Sequence, residues 1–436
     1  MNYVDAVAAL ERRSNYERSG RLTSPTLERI ETLVDLLAHP QRGYQVIHIT
    51  GTVGKTTTAR AASEVLRAAG LAVGTYTSPH VESVRERFAY DGREITEDEF
   101  ADAWEELTPY LELLDPKGEQ PITWFEATTA LAFSWFAERA VDVAVIEVGM
   151  GGTWDATNVV ESSVAVFTPI GVDHADVLGA IPTEIATEKV GIIKPGAIVY
   201  TAAQDQDVAD VLRARSAELG AEIRAEGLSF GVEEARLALG GQQVTARLGH
   251  DRYPNLFLPM FGEHTARDAV LGAAAARALL GESALEHEVL AEAFGALHLP
   301  GRMEVMQRNP MVVLDGAHNA PSAVALAEAM PDSFTWDRLL LVVGVMADKD
   351  VEAVVGPLAA IADEVIATAS SSPRAADPER VALAARAAGA DPIVAPDVAG
   401  ALSRALERAT ERDCVLVTGS IYVVGEARER FADLPR

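Results

Sequence analysis

A glycine-rich turn around Lys55 has the residue types that could hold the phosphates of a nucleotide. Residues 51–57 read GTVGKTT, and they stand between a β-branched run at 46–49 and a helical pattern over 59–69. Glycines let backbone N–H groups face an anion, and the N-terminus of the following helix adds partial positive charge. We expect Lys55 to reach the β and γ phosphates and a hydroxyl of Thr56 or Thr57 to bind Mg²⁺.

The spacing of this turn departs from the strict Walker pattern. Ile49 stands where the first glycine would be, and Gly51 comes later. An ordinary glycine-rich turn between a strand and a helix, with no phosphate-binding role, could have a similar sequence. Because strand, turn, lysine, threonines and helix all occur in the required order, the pattern favours a phosphate loop.

Glu147 is a second candidate, because it interrupts a nearly continuous apolar run over residues 141–148. Such a run is typical of a strand that is buried on both faces. A lone carboxylate there is costly unless it is paired or bound to a metal. A strand-end glutamate that reaches solvent is the simpler alternative. The glycines within 149–152 follow at once and leave backbone space for a ligand, so we favour a metal ligand.

Further polar segments follow other predicted strands. Thr77-Ser78-Pro79-His80 ends one strand, and residues 168–174, which include His174, end another. Residues 315–319, DGAHN, follow the first strand beyond residue 300. Open α/β sheets bind ligands at the carboxyl ends of their strands, which makes these segments candidates for ligand contact. A loop histidine satisfied by ordinary hydrogen bonds is the alternative for His174.

The elements that must position these residues alternate between strand and helix patterns. They predict an α/β fold with two parts: a large P-loop-type domain with a central, mostly parallel sheet, and a smaller C-terminal Rossmann-like α/β domain. Short alternating runs over 222–260 predict a small antiparallel sheet or flap. The proline and glycine of residues 300–301 mark a linker, which gives domains at 1–296 and 297–436.

Composition narrows the classes of partner. The 436 residues carry a formal charge of −28, which argues against nucleic acid or an anionic membrane as the main partner. The single cysteine, Cys414, excludes an internal disulfide and indicates a reducing compartment. The N-terminus lacks a signal pattern, and no apolar run is long enough to span a bilayer. We expect a cytoplasmic protein.

An ordered set of motifs, from about residue 25 to about residue 426, resembles the Mur ligase superfamily. The phosphate loop is similar to the shortened loop of that superfamily, whose members are ATP-dependent amide ligases. Other segments resemble its folate branch, the dihydrofolate synthase/folylpolyglutamate synthase enzymes. These segments are residues 77–80, 147–152, 155–158, 173–174, 178–179, 188–189, 191–196, 300–302, 315–319, 348–350 and 418–420.

The resemblance implies an ATP- and Mg²⁺-dependent ligase that adds L-glutamate to a pterin carboxylate, either dihydropteroate or a folyl-glutamate. The γ-phosphoryl group of ATP would activate the carboxylate as an acyl phosphate, with release of ADP and phosphate. An amide ligase of the same architecture that joins a different carboxylate and amino acid is the alternative. The expected partners are these small molecules alone, and we expect a monomer.

The resemblance also implies roles for individual residues. The catalytic residues would be Lys55, Lys189 and His174. Nucleotide contacts would come from Gly51, Thr52, Gly54, Lys55, Thr56, Thr57, Asp268, Arg302, Asp315 and His318. One metal would lie on Thr56 or Thr57 with Glu147 and His174, and the second near Ser78 and Lys189. Lys189 is expected as a carbamate. The acceptor substrate would contact Ser78, Pro79, His80, Gly151, Thr153 and Asp155.

Several positions depart from the folate branch. Val53 stands in place of the usual Asn and Thr56 in place of Gly, while Thr153-Trp154 replaces a frequent Arg-Leu. Asp268 replaces an Asn that usually contacts adenine. These departures fall in ligand-contacting loops, so they bear on the substrate more than on the fold. A regulator without catalysis would have lost Lys55, Glu147, His174 or Lys189, and all four are present.

Overall fold

A computed structural model describes residues 1–20, 25–115, 121–281 and 285–431. The chain divides into two compact units. The larger unit comprises residues 1–236, 243–259 and 265–297, and the smaller comprises residues 237–242, 260–264 and 298–436. In the part of the chain that the structure describes, every helix is too short or too polar to cross a membrane. The predicted domain limits of 1–296 and 297–436 remain a prediction.

The larger unit is built on one sheet with the strand order β4-β3-β2-β5-β1-β6-β7-β8. Its strands are β1 (Gln45–Thr50), β2 (Val73–Tyr76), β3 (Phe88–Tyr90), β4 (Arg93–Glu94), β5 (Val143–Glu147), β6 (Val164–Phe167), β7 (Ile198–Thr201) and β8 (Glu222–Ala225). Two pairs in this sheet are antiparallel, β2 with β3 and β3 with β4, and the other five pairs are parallel. A mostly parallel sheet in an α/β unit is the fold class that the sequence predicts.

Helices cover this sheet. They are α1 (Tyr3–Glu11), α2 (Tyr16–Ser19), α3 (Glu28–Leu36), α4 (Lys55–Ala68), α5 (Glu97–Leu114), α6 (Trp124–Glu138), α7 (Ala175–Leu178), α8 (Pro182–Lys189), α9 (Gln206–Glu218), α10 (Glu263–Leu279) and α11 (His287–Ala296). One core, rich in aromatic side chains, includes Trp104, Trp124 and Phe136. A separate core includes Phe167 and Leu212. Full burial of a leucine or phenylalanine side chain contributes about 1.5–3 kcal/mol, so these cores stabilise the sheet whose strand ends carry the candidate loops.

Parallel pairing brings the candidate loops to one edge. β1 lies between β5 and β6, with Ile49 opposite Glu147 and Thr50 opposite Phe167. β2 pairs with the other side of β5. The carboxyl ends of these four strands therefore meet at the same edge of the sheet, together with the loops that follow them.

A small second sheet contains β9 (Phe230–Ala238), β10 (Gly241–Leu248) and β11 (Asp251–Leu258), in the order β11-β10-β9. Two-residue turns connect these strands, as is usual for antiparallel neighbours. The small sheet that the sequence predicts over 222–260 is confirmed for residues 230–258. Residues 222–225 instead add β8 to the edge of the large sheet.

The smaller unit holds a six-stranded sheet with the order β12-β13-β17-β14-β15-β16. Its strands are β12 (Glu304–Arg308), β13 (Met311–Leu314), β14 (Leu339–Val343), β15 (Glu364–Ala367), β16 (Ile393–Val394) and β17 (Cys414–Thr418). Its helices are α12 (Ala320–Ser333), α13 (Val351–Ala360), α14 (Pro378–Ala387), α15 (Val398–Arg408) and α16 (Ile421–Glu429). All pairs are parallel except β12 with β13. The prediction of a second α/β unit is confirmed.

Candidate active site

The predicted phosphate loop connects β1 to α4 at the shared edge of the sheet. Gly54 caps α4 with a left-handed φ of 83°, a conformation that suits glycine. Thr52 braces the loop, since its N–H donates to the carbonyl of Pro169 at 2.9 Å and its hydroxyl to that of Gly171 at 2.9 Å. The Nζ of Lys55 donates to the carbonyl of Thr52 at 3.3 Å, so the ammonium lies over its own loop. This arrangement presents helix N-terminal amides and one cation to an anion.

Glu147 and two other predicted metal ligands come together beside this loop. The Thr56 hydroxyl donates to the Glu147 carboxylate at 3.0 and 3.1 Å, and the backbone N–H of Ser78 donates to it at 3.1 Å. Glu147 is only 1% exposed, so it does not reach solvent as the simpler interpretation requires. Of the two candidate threonines, Thr56 is the one whose hydroxyl contacts this carboxylate. Thr57 is buried in the first turn of α4.

Lys189 ends α8, and its side chain points at the phosphate loop. Its Nζ donates to the carbonyl of Gly51 at 2.8 Å and lies 3.5 Å from the Thr50 hydroxyl. The side chain is buried, which excludes the surface ion pair that a lysine next to Glu188 would otherwise form. Burial, and secondarily the charge of Lys55, lower the pKa of Lys189 to about 7. The amine is therefore partly neutral near neutral pH.

The loop after β5 packs on the end of α8. The Gly151 carbonyl accepts from the Thr50 hydroxyl at 2.9 Å, and the N–H and hydroxyl of Thr153 donate to the Glu188 carbonyl at 3.1 and 3.0 Å. Asp155, buried at the far end of this loop, accepts from the Met150 N–H at 2.9 Å. These bonds hold the predicted substrate residues Gly151, Thr153 and Asp155 close to Lys189.

A buried histidine supports that loop from β1. The Thr157 hydroxyl donates to Asp155 and is 2.8 Å from Nε2 of His48, so the His48 Nε2–H donates to it. His48 has no exposed surface, and burial lowers its pKa to about 3. Sequence reasoning missed His48, because a histidine within a β-branched strand gives no indication of its partner.

His80, a predicted substrate residue, is held by a buried arginine. Nε of Arg87 donates to Nδ1 of His80 at 2.8 Å, which leaves the proton of the neutral ring on Nε2. Burial is the main cause that lowers the pKa of His80 to about 3, and the charge of Arg87 acts in the same direction. Arg87 itself pairs with Glu17 of α2 and lies over the ring of Trp124. Pro79 is exposed beside His80, and Ser78 is buried. Sequence reasoning did not identify these supporting residues, Arg87, Glu17 and Trp124, because they are far from His80 in sequence or unremarkable in type.

His174 has a left-handed φ of 50° at the start of α7. Its Nδ1 lies 3.2 Å from the hydroxyl of Tyr16 in α2, and its Nε2 lies 3.9 Å from the carboxylate of Asp173. The N-terminal segment therefore contacts His174 directly through Tyr16, and it contacts Arg87, the partner of His80, through Glu17. The role of His174 as a metal ligand stays a prediction.

The remaining predicted nucleotide contacts lie in two places. Asp268 is on α10 of the larger unit, beside Gly54 of the phosphate loop. Arg302, Asp315 and His318 lie together in the smaller unit. The Asp315 carboxylate accepts from the N–H groups of Met303 at 2.9 Å and Ala317 at 2.8 Å, and Nδ1 of His318 donates to the Gly316 carbonyl at 2.8 Å. Burial raises the pKa of Asp315, and the nearby Arg302 opposes that shift.

The donor set beside the phosphate loop fits Mg²⁺. Mg²⁺ prefers hard oxygen ligands and usually keeps several waters, so one carboxylate with one or two hydroxyls is a sufficient protein contribution. Glu147 and Thr56 supply these oxygens in the geometry described above. Across the described ranges, no three His, Cys, Asp or Glu side chains gather as a metal cluster. The residues thus suit a metal shared with a phosphate ligand better than an all-protein cage.

Comparisons with known proteins agree with this architecture. Residues 49–276 match the Mur ligase middle domain, and residues 301–421 match the Mur ligase glutamate ligase domain. Dihydrofolate synthase/folylpolyglutamate synthase of Mycobacterium tuberculosis is 38% identical over 94% of this chain and 91% of its own. The Bacillus subtilis enzyme of that name is 31% identical over 94% of this chain and 97% of its own.

Solved structures give the same result. Mycobacterium tuberculosis folylpolyglutamate synthase complexed with ADP superposes with a TM-score of 0.94 at 37% identity, and the match covers 100% of this chain and 99% of that one. A folylpolyglutamate synthase (FPGS) complexed with AMPPCP and folate has a TM-score of 0.87 at 32% identity, with 99% and 100% of the two chains covered. The fold and the phosphate-loop edge are thus those of ATP-dependent ligases. The chain belongs to the Mur ligase family, and its relatives lie in the dihydrofolate synthase/folylpolyglutamate synthase branch.

Proposed function

We propose that this enzyme adds L-glutamate to the carboxylate of a pterin or folate at the expense of ATP. The acceptor would be dihydropteroate, a folyl-glutamate, or both. The observation that carries the proposal is the grouping of the phosphate loop, the Thr56–Glu147 pair and the buried Lys189 at one edge of the sheet. Similarity to folylpolyglutamate synthases over almost the whole chain supports the substrate class.

The first chemical step would transfer a phosphoryl group. A carboxylate oxygen of the acceptor attacks the γ-phosphorus of ATP, the bond to the bridging oxygen breaks, and ADP leaves. The loop amides and Lys55 would hold the phosphates and offset the charge that develops, because phosphoryl transfer depends mainly on positioning and electrostatics. Thr56 and Glu147 would hold Mg²⁺, which when bound neutralises phosphate charge.

The second step would form the amide. The α-amine of glutamate attacks the carbonyl carbon of the acyl phosphate, and the tetrahedral intermediate loses phosphate and a proton. The loop at 149–155 and His80 would position the acceptor, with His80 acting as a neutral hydrogen-bond donor through Nε2–H. The roles of Arg302, Asp315 and His318 of the smaller unit as nucleotide contacts stay predictions from the sequence. As part of the same proposal, the enzyme is a monomer and acts in the cytoplasm.

A substrate panel tests this assignment. The purified enzyme would be offered Mg-ATP with dihydropteroate, tetrahydrofolate or a UDP-linked peptidoglycan precursor, each combined with L-glutamate and with other amino acids. Phosphate release and product mass would be measured for each pair. We expect turnover with a pterin acceptor and L-glutamate. Turnover with another carboxylate only would replace the folate assignment with the alternative ligase.

Lys189 is proposed to work as a carbamate. Its neutral amine would form an N–C bond with CO₂ and release a proton, giving an anionic oxygen donor next to the phosphate loop. The pKa of about 7 and the burial of Nζ support this chemistry, because an amine must be neutral to react. Arginine cannot form a carbamate, since its guanidinium stays protonated.

The carbamate predicts that Lys189→Arg and Lys189→Ala lose activity to a similar degree. Short carboxylic acids should restore part of the activity of Lys189→Ala by occupying the vacated space. Mass spectrometry of the intact parent protein in labelled bicarbonate, after chemical trapping, should find the added carboxyl group on Lys189. Parent-like activity in Lys189→Arg would eliminate the carbamate while leaving the ligase assignment intact.

A further inference from the structure

Asp268 lies against the phosphate loop in a position where its charge would act on a bound nucleotide. A Cβ atom built on Gly54 would collide with both carboxylate oxygens of Asp268, which shows how closely the carboxylate approaches the loop. Gly54 is the N-cap of α4, so this is the end of the helix that faces the phosphates. Both residues belong to the larger unit.

Helix packing fixes the carboxylate in this position. One turn beyond Asp268, Gly272 packs on α4 so closely that a Cβ would collide with the Thr58 carbonyl and lie 2.9 Å from Ala61 Cβ. Thr58 is itself one turn beyond Gly54, to which its N–H donates at 3.0 Å. The pairs Asp268–Gly54 and Gly272–Thr58 are thus successive contacts of two closely packed helices. Asp268 is only 7% exposed, so its carboxylate is buried beside the loop.

The electrostatic effect of this position has a definite sign. Amides at the start of α4 and the ammonium of Lys55 attract a polyphosphate, whereas a carboxylate beside Gly54 repels it. Repulsion between like charges grows with the number of phosphate charges and is weakly screened at a buried position. Asparagine at this position has the same shape and no charge, so it would lack the repulsion.

We propose that Asp268 determines nucleotide affinity by charge: it weakens the binding of polyphosphates at the phosphate loop and penalises ATP more than ADP. This inference rests on the proposed ATP site and adds to it a residue whose effect opposes binding. In this enzyme the affinity for nucleotide would therefore be set below what the loop alone provides.

The experiment is a titration of adenosine, AMP, ADP and ATP into the full-length parent, Asp268→Asn and Asp268→Ala, with EDTA and again with Mg²⁺. Calorimetry would give the dissociation constants. Asp207→Asn on α9 is the matched control, because Asp207 is exposed and this change removes the same charge from the chain. Circular dichroism and thermal unfolding would verify that each variant is folded.

We expect both Asp268 variants to bind ATP about tenfold tighter than the parent in EDTA, a change of about 1.4 kcal/mol. The gain in affinity over the parent should decrease from ATP to ADP to AMP and vanish for adenosine. It should also be smaller when Mg²⁺ is present. Asp207→Asn should match the parent. The inclusion of Asp268→Ala separates charge from new contacts of the asparagine amide, since alanine can form none.

Three results would overturn the inference. Unchanged ATP affinity in both variants would mean that the carboxylate exerts no net repulsion. An equal change for adenosine and ATP would assign Asp268 to base recognition instead. Weaker ATP binding in both variants would make Asp268 a favourable contact. Each of these outcomes leaves the proposed ligase function standing, whereas a parent that binds neither ADP nor ATP would refute both proposals.

Discussion

Replacing Lys189 with methionine should change how stability depends on pH. The pKa of Lys189 falls from 10.5 to about 7 in the folded protein, chiefly through burial. Between these two pH values the unfolded chain binds a proton that the folded chain has released. The free energy of unfolding therefore rises with pH across this window, by up to about 1.4 kcal/mol per pH unit. Over the whole window the contribution of Lys189 amounts to about 5 kcal/mol.

Methionine has a similar length and no titrating group, so the variant should lack this pH dependence. Urea unfolding at several pH values between about 7 and 9.5, in CO₂-free buffer, would measure the free energies. Tryptophan fluorescence reports mainly on the larger unit, which contains Trp104, Trp124, Trp135 and Trp154 of the five tryptophans. The free energy of unfolding of the parent minus that of the variant should increase by about 3 kcal/mol across this pH range.

The parent-minus-variant difference removes the titration of surface groups, which both proteins share. Lys194→Met, near the same loop but only partly buried, is a useful control and should give a smaller effect. A difference that stays constant with pH would mean that Lys189 keeps an ordinary ammonium in the folded state. The claim that burial lowers the pKa of Lys189 would then be wrong.

Two further predictions concern the phosphate loop and the buried histidine. Lys55→Ala should fold normally and lose roughly a thousandfold or more in turnover, measured by ADP release at saturating ATP; near-normal turnover would contradict the loop assignment. His48, whose pKa is lowered to about 3 from 6.5, is neutral in the fold, so acidification below 6.5 favours the unfolded state. His48→Gln keeps a hydrogen-bond donor but has no titrating ring. Between pH 6.5 and about 5, its free energy of unfolding, measured by urea titration, should therefore fall by about 2 kcal/mol less than that of the parent. An equal fall in both proteins would argue against a buried neutral imidazole.

Sequence patterns were sufficient to predict the loops at the sheet edge. A βα turn with glycines, a glutamate at the end of an apolar strand, and a polar segment after another strand each carry a local signal. Parallel pairing then brings them together, because β1, β2 and β5 end at the same edge. Glu147 and Thr56 are the clearest case, because each could be predicted from its local sequence and only the strand order was needed to bring them together.

Contacts that join distant parts of the chain could not be predicted in this way. Tyr16 and Glu17 reach His174 and Arg87 from a four-residue helix whose sequence gives no periodic signal. The strand Glu304–Arg308 was missed, because it pairs antiparallel at a sheet edge and has mixed polarity. The approach of Asp268 to Gly54 depends on helix packing through Gly272, which a propensity argument does not detect.

The most direct test of the account follows an oxygen atom. A pterin acceptor carrying a heavy-oxygen label in its carboxylate would be incubated with the enzyme, Mg-ATP and L-glutamate, and the released phosphate analysed by mass spectrometry. If the carboxylate attacks the γ-phosphorus, one labelled oxygen should appear in phosphate for each amide formed, and the product should gain the mass of one glutamate residue. Amide formation with no label in phosphate would contradict activation through an acyl phosphate.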